Sequence, residues 1–177
     1  MEAGIELMAA STVKSDSEML KEIERLLSRN HYCVLATSSR DGRPQSTGAV
    51  YCSRGLDLYI YTDPQSKKAR NIRRNPNVAV TVPVWERRPF WVPPRSIQFR
   101  GLAEILPAED TIANQVYEFR VLFMKVSITD TKGCFVHVRP TRRISTYGVG
   151  VPRMTMARHP EEAERSTPIP EESVTPK

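Results

Sequence analysis

The sequence predicts a mainly β chain of the α+β class, with six antiparallel strands closing into a barrel flanked by helices. Three observations predict it. Short apolar or alternating segments recur between turn residues, Asp41-Gly42 is a strong hairpin signal, and helical periodicity returns only between some of the strands. A parallel sheet would need a crossover, usually a helix, after every strand. The 177 residues, 40% hydrophobic and 26% charged, suit one globular domain, and no internal repeat is visible.

Taken in order, residues 1–14 lack periodicity and are expected to form a flexible N-terminus. "SDSEMLKEIERLLSRN" reads as a helix. Ser15 and Glu18 make a capping box, Met19, Leu20, Ile23, Leu26 and Leu27 form one apolar stripe, and Asn30 suits a left-handed residue at the end. "YCVLATS" (32–38) and "PQSTGAVY" (44–51) flank the Asp41-Gly42 turn, and "CSRGLD" is a second turn around Gly55. "LDLYIYT" (56–62) alternates Leu56, Leu58 and Ile60 with Asp57, Tyr59 and Tyr61, so one face is apolar and the other more polar.

Asp63 is a good N-cap and Pro64 a good first-turn residue, predicting a short helix over 64–74 that Asn75-Pro76 ends. "NVAVTVPVW" (77–85) is a strand whose Pro83 points to an edge or bulge, and "RSIQFRGLAEIL" (95–106) is a long strand with a bulge at Gly101. Between them lies a proline-broken loop with Phe90 and Trp91. A third helix is expected in "AEDTIANQVYEFRVLFMK", with Ile112, Val116, Phe119 and Phe123 on its apolar side, and "GCFVHVRP" (133–140) is the sixth strand. The domain should therefore span 15–154. Residues 155–177, rich in Pro, Glu, Ser and Thr, are expected to be a disordered tail.

The net charge is +6, and the acidic tail leaves the body more basic still, so an anionic partner is the first hypothesis. The three cysteines, Cys33, Cys52 and Cys134, show no paired spacing, and no metal site is expected; Cys33 and Cys134 read as buried core residues. His137, alone on an apolar strand, reads as a core histidine with its hydrogen bonds satisfied. No apolar run is long enough to cross a bilayer and no secretory signal is evident, so a cytoplasmic location is expected.

Within 62–76, "TDPQSKKARNIRRNP" concentrates Lys67, Lys68, Arg70, Arg73 and Arg74 on one short helix. A helix start offers free backbone N–H groups and the positive end of the dipole, to which Thr62 and Ser66 add hydroxyls and Lys67 and Lys68 add charge. That combination is a phosphate site. A merely solvated charged face is the plain alternative. Nucleic acid is disfavoured because the aromatics Tyr59, Tyr61, Trp85, Phe90 and Trp91 cluster elsewhere. No glycine-rich nucleotide loop is present.

"DGRPQSTGAVY", "YTDPQSKKARNIRRNPNVAV" and "SIQFRGLAEIL", in that order, resemble the pyridoxamine 5'-phosphate oxidase-like family of FMN-binding split β-barrels over about residues 20–147. The resemblance implies a split barrel that forms a homodimer, with a flavin in each cleft between subunits and a small-molecule substrate. It implies Lys67 and Lys68 as the cationic pair on the flavin phosphate, with Thr62 and Ser66 nearby and Tyr61 close to the ligand. Gln45, Ser46, Thr47, Gly48 and Val50 lie on the strand whose backbone runs along the isoalloxazine ring, Ser96 stands where oxidases carry a glutamine, and Arg143 looks like the late arginine that reaches the partner's ring. Thr47 replaces a phosphate-holding arginine, which implies a weaker or differently shaped phosphate site, and Ser145 replaces the substrate-contacting histidine of an Arg-Leu-His motif, which argues against pyridoxamine phosphate as substrate. The implied activity is an FMN-dependent oxidoreductase with no protein catalytic base. Alternatives on the same scaffold are a reductase using the deazaflavin coenzyme F-420, suited by Arg70 and Arg74, or a non-enzymatic FMN or heme module. Nucleic acid and membrane partners are not expected. Trp85 is expected to be core or dimer contact.

Overall fold

In the computed structural model the chain is described over residues 14–87, 89–116 and 132–170. Helix α1 (Asp16–Arg29) starts at the capping box: the Ser15 hydroxyl accepts from Glu18 N, and the Glu18 carboxylate accepts from Ser15 N at 2.8 Å. Its stripe is buried through Met19, Ile23 and Leu27. Asn30 is extended (φ −104°, ψ 139°) rather than left-handed. It ends the helix with its side chain instead, Nδ2 donating to Leu26 O at 2.8 Å while Oδ1 accepts from Trp85 N at 3.0 Å.

Among the described residues eight strands follow, not six: β1 (Tyr32–Ser38), β2 (Pro44–Val50), β3 (Cys52–Arg54), β4 (Asp57–Thr62), β5 (Asn77–Val84), β6 (Arg95–Pro107), β7 (Cys134–Tyr147) and β8 (Glu164–Pro168). Every pairing is antiparallel, in the order β2-β1-β5-β6-β7-β4-β3, with β8 added to β7. The residues before Gly55, expected as part of a turn, pair with β4 as β3, and Gly55 turns that hairpin at φ +59°. Strand β7 continues through "TRRISTY": after an irregularity opposite Arg100, β6 pairs with it again from Ile144 and β8 from Arg143.

The sheet has to curl. Strands β2 and β3 stand at opposite ends of the strand order, yet Tyr51 alone joins them. A flat sheet of seven strands would separate its edges by roughly 28 Å at the usual strand spacing, so the edges come round to meet and close a barrel with a split. Tyr51 fills the joint, fully buried, its hydroxyl donating to Leu27 O at 3.0 Å. Inside sits one apolar cluster drawn from α1, six of the strands, Tyr51, Ile72, Val149 and Ile169, with Leu35, Leu58, Val80, Ile97, Val138 and Ile144 shut off from solvent or nearly so. Pro83 lies beyond the β1–β5 pairing, which covers Thr81 to Ala79, so its missing N–H costs no bond to β1.

Helix α2 spans Lys67–Arg74 and does not begin at 64. Asp63 closes a turn first, its carboxylate accepting from Gln65 N at 2.6 Å and its carbonyl from Ser66 N at 3.0 Å. Ser66 is therefore the cap, accepting from Ala69 N at 3.3 Å. Residues 111–116 are helical (α3), with Ala113 rather than Ile112 buried; Phe119 and Phe123 lie outside the described residues. Ala113 covers a second, small cluster with Cys52, Tyr59 and Phe135, so the polar side expected of β4 is in part a packing face.

The expected disordered tail is, over its described part, structured. Helix α4 (Arg153–Arg158), a 3-10 turn (Pro160–Ala163) and β8 return the chain to the sheet. Met156, Ala163, Thr167 and Ile169 are buried. Backbone pairing with β7 supplies what the low apolar content could not signal.

Candidate cofactor site

The turn Thr62–Ser66 and the first residues of α2 form a compact donor cluster. Thr62 is buried at the end of β4, where β7 pairs with it through Cys134. Its hydroxyl donates to Ser66 Oγ at 3.4 Å. Ser66 Oγ thus accepts from both Thr62 and Ala69 N, and its own proton stays available to an acceptor. Lys67 is exposed and Lys68 half-buried. Among the described residues no carboxylate lies within ion-pair distance of Lys67, Lys68, Arg70 or Arg74, while Arg73 donates to Pro64 O at 2.6 Å. First-turn N–H groups, a free hydroxyl proton and uncompensated ammonium groups are the donor set that a phosphate requires.

Strand β2 ends the sheet order, so one of its two backbone edges carries no ladder partner. Its side chains alternate. Gln45 and Thr47 are half-buried, and Gln45 Oε1 accepts from Asn71 Nδ2 of α2 at 3.2 Å. Ser46, Gly48 and Val50 face outward and are exposed. Gly48 lies under Tyr32, where a Cβ would collide with the phenol. The β2–α2 link brings Gln45 and the donor cluster to one end of the barrel.

The remaining expected residues lie elsewhere. Tyr61 packs edge-on against Phe135, ring centroids 5.3 Å apart, in the small second cluster. Ser96 stands on the outer face of β6, accepting from Gln98 Nε2 at 3.2 Å. Arg143, on the outer face of β7, is held by its own chain: Nε donates to Ser166 Oγ at 2.8 Å and Nη2 to Ser166 O at 2.7 Å. Trp85 is 74% exposed and Phe90 96%, so Trp85 is no core residue of the single chain.

His137 is satisfied, and doubly so. Nε2 bonds Asp57 Oδ2 at 2.8 Å, Nδ1 bonds Glu104 Oε1 at 2.9 Å, and the ring stacks on Tyr59 at 4.5 Å. Burial by itself disfavours the imidazolium, but the two carboxylate hydrogen bonds outweigh it and raise the pKa above the ordinary histidine value. All three cysteines are buried and free, and burial pushes the Cys33 thiol up to about 12, which removes it as a nucleophile. Among the described residues, His159, Glu161 and Glu162 group three ligand atoms within 4.8 Å of one another, all on exposed side chains.

The family model for pyridoxamine 5'-phosphate oxidase matches residues 19–147. The chain belongs to that family. No curated protein matches the sequence. General Stress Protein 26 from Bacillus anthracis is 25% identical, with a TM-score of 0.56 over 72% of this chain and 92% of that one. A heme binding protein from Mycobacterium smegmatis (16% identical, TM-score 0.67) covers 91% of this chain, which spans 60% of it. HutZ, the heme storage protein from Vibrio cholerae, is 18% identical, with a TM-score of 0.59 over 73% of this chain and 95% of that one. The last two share the fold.

Relative to this family, the split barrel and the flanking helices agree with expectation, and the strand count does not. Sequence reasoning missed two arrangements: the carboxylate–histidine–carboxylate bridge across β4, β7 and β6, and the irregularity where β6 meets β7. Asp57 and Glu104 lie far from His137 in sequence, so only strand register could have brought the first to light. The Gly101 bulge signal marked the second without showing what it gathers.

Proposed function

We propose that this protein is an FMN-dependent oxidoreductase that works as a homodimer on a small-molecule substrate. The observation that carries this reading is the donor cluster at the start of α2, whose lysines have no carboxylate partner among the described residues. Lys67, Lys68, the Ser66 hydroxyl and the first N–H groups of α2 would hold the phosphate. The unpaired edge of β2, from Gln45 to Val50, would offer backbone N–H and C=O groups to the ring. FMN, when bound, supplies hydride acceptance and donation at its N5 position. The protein's part is placement, exclusion of water and charge: Arg143, fixed by Ser166, would set a cation against the ring of the neighbouring subunit. No side chain is asked to act as a general base.

A second copy has a surface to cover. Tyr32, Val50, Trp85, Trp91 and Leu102 are between 41% and 74% exposed in the single chain. Arg70 and Arg74, exposed and without an ion pair among the described residues, favour the deazaflavin as second reading, since its longer anionic tail would meet them.

The test is the cofactor that copurifies. Yellow protein releasing FMN on denaturation supports the first reading. Protein that takes up the deazaflavin but not FMN supports the second, and a Soret band on heme addition without flavin binding overturns both. Light scattering that gives a monomer at micromolar concentration removes the shared cleft.

A further inference from the structure

The ladder between β6 and β7 breaks at one place. Phe99 pairs with Ile144 and Gly101 with Pro140, so a single residue of β6, Arg100, opposes three of β7: Thr141, Arg142 and Arg143. Arg142 takes φ +60°, a left-handed backbone uncommon for any residue but glycine. In a regular strand Arg142 and Arg143 would point to opposite faces. Here both are exposed on the outer side, while Ile144 and Thr146 return to the buried alternation. The irregularity therefore gathers three guanidinium groups around one groove, lined also by Thr81, Gln98 and Ser145.

That groove contains no carboxylate, and among the described residues Arg100, Arg142 and Arg143 have none within ion-pair distance. Three cations gathered without an anion repel one another, and the C-terminal strand holds them in place. Ile169 N donates to Arg142 O at 2.8 Å, fixing the left-handed turn. Ser166 takes Nε and Nη2 of Arg143, leaving Nη1 without a protein partner among the described residues. Beside the apolar Ala79, Val80 and Phe99, the lining offers hydroxyls and an amide able to donate to an oxyanion, and the Thr81, Gln98, Ser145 and Ser166 positions are joined in one row by strand register.

We propose that this groove is a binding site for a small phosphate-bearing molecule, with Arg100 and Arg142 as its principal ligands and β8 as the strap that preorganises it. It shares no residue with the donor cluster of α2, and its two principal ligands are not among the residues proposed for the flavin; Arg143 alone borders both. Guanidinium forks match phosphate oxygens in pairs, which makes a dianion a better fit than a single carboxylate.

The experiment is a titration of the full-length chain with inorganic phosphate at constant ionic strength, followed by NMR through arginine Nε–H signals and the amides of Ser145 and Ser166. Saturable shifts in the millimolar range are expected, with acetate giving at least fivefold weaker binding. R100Q/R142Q should weaken phosphate at least tenfold at these signals, and R100K/R142K, which keeps the charges, should fall between. K67Q/K68Q should leave them unchanged while weakening FMN roughly a hundredfold, and R100Q/R142Q should keep FMN. Shifts that do not saturate, or that survive in R100Q/R142Q, overturn the groove. Saturable groove shifts in a protein that binds no FMN would overturn the function proposed above and leave this site standing.

Discussion

Lys67 and Lys68 at the start of α2 and His137 on β7 both lie beside β4, which pairs with His137 through Tyr59 and runs on into the α2 turn. They are treated in opposite ways. His137 has a carboxylate on each nitrogen, and Arg139 adds a further contact to Glu104 at 3.5 Å, so charge there is answered within the fold. The lysines have no such answer among the described residues. An internally paired charge stabilises the strands that carry it, whereas a charge held unpaired at a helix start is available to a ligand. Residues whose charge the fold itself answers are thus set apart from the residues proposed to hold a ligand.

Changing both lysines to alanine should have the largest effect, and on binding alone. Two charge-assisted contacts at about 1.5 kcal/mol each imply roughly a hundredfold loss of FMN affinity. Riboflavin, which lacks the phosphate, should bind as before, and chemical denaturation should move by no more than about 0.5 kcal/mol. Equal losses for the two flavins in calorimetry would deny the lysines a phosphate.

His137→Ala should do the reverse. It strands Asp57 and Glu104 and removes the ring stacked on Tyr59. The carboxylates are 33% and 48% exposed, so water relieves part of the loss and about 2 kcal/mol of stability is expected by urea unfolding. FMN affinity of the folded fraction should stay within about twofold. A stable variant that no longer binds FMN would erase the distinction between the two regions.

Ser66→Ala touches both functions in small measure. Losing the cap should cost about 1 kcal/mol of stability, together with a loss of FMN affinity several times smaller than that of the double lysine variant, both measurable on one preparation.

The smallest effect is in pH. The folded-state pKa of His137 is raised, so its contribution is fully present below the unfolded value of about 6.5 and is lost as pH rises through the folded value. Unfolding followed from pH 6 upward should show a decline that His137→Gln abolishes. A decline of equal size in that variant would assign the pH dependence to other groups.

Much of the frame was readable because the signals were local. The Ser15–Glu18 box, the Asp41-Gly42 turn with Gly42 at φ +74°, and the stop at Asn75-Pro76 each depend on residues a few positions apart. The α2 donor cluster was legible for the same reason, except that Asp63 and Ser66 both look like caps and only the turn geometry decides between them. What stayed hidden depends on distant partners. Residues 164–168 become a strand because β7 offers them a ladder, and Arg100 meets Arg142 because two strands slip against each other. Tyr61, on the more polar side of β4 by alternation, packs edge-on against Phe135, a neighbour that only strand register supplies.

The joint at Tyr51 has a consequence for solubility. Exposed strand borders recruit strands from other molecules and seed aggregates. By bending the chain within one residue, Tyr51 turns β2 and β3 toward the same crevice, and β2 comes into contact with β4 there. The two borders thereby face each other across the split, which leaves a foreign strand less room to pair than a flat sheet would.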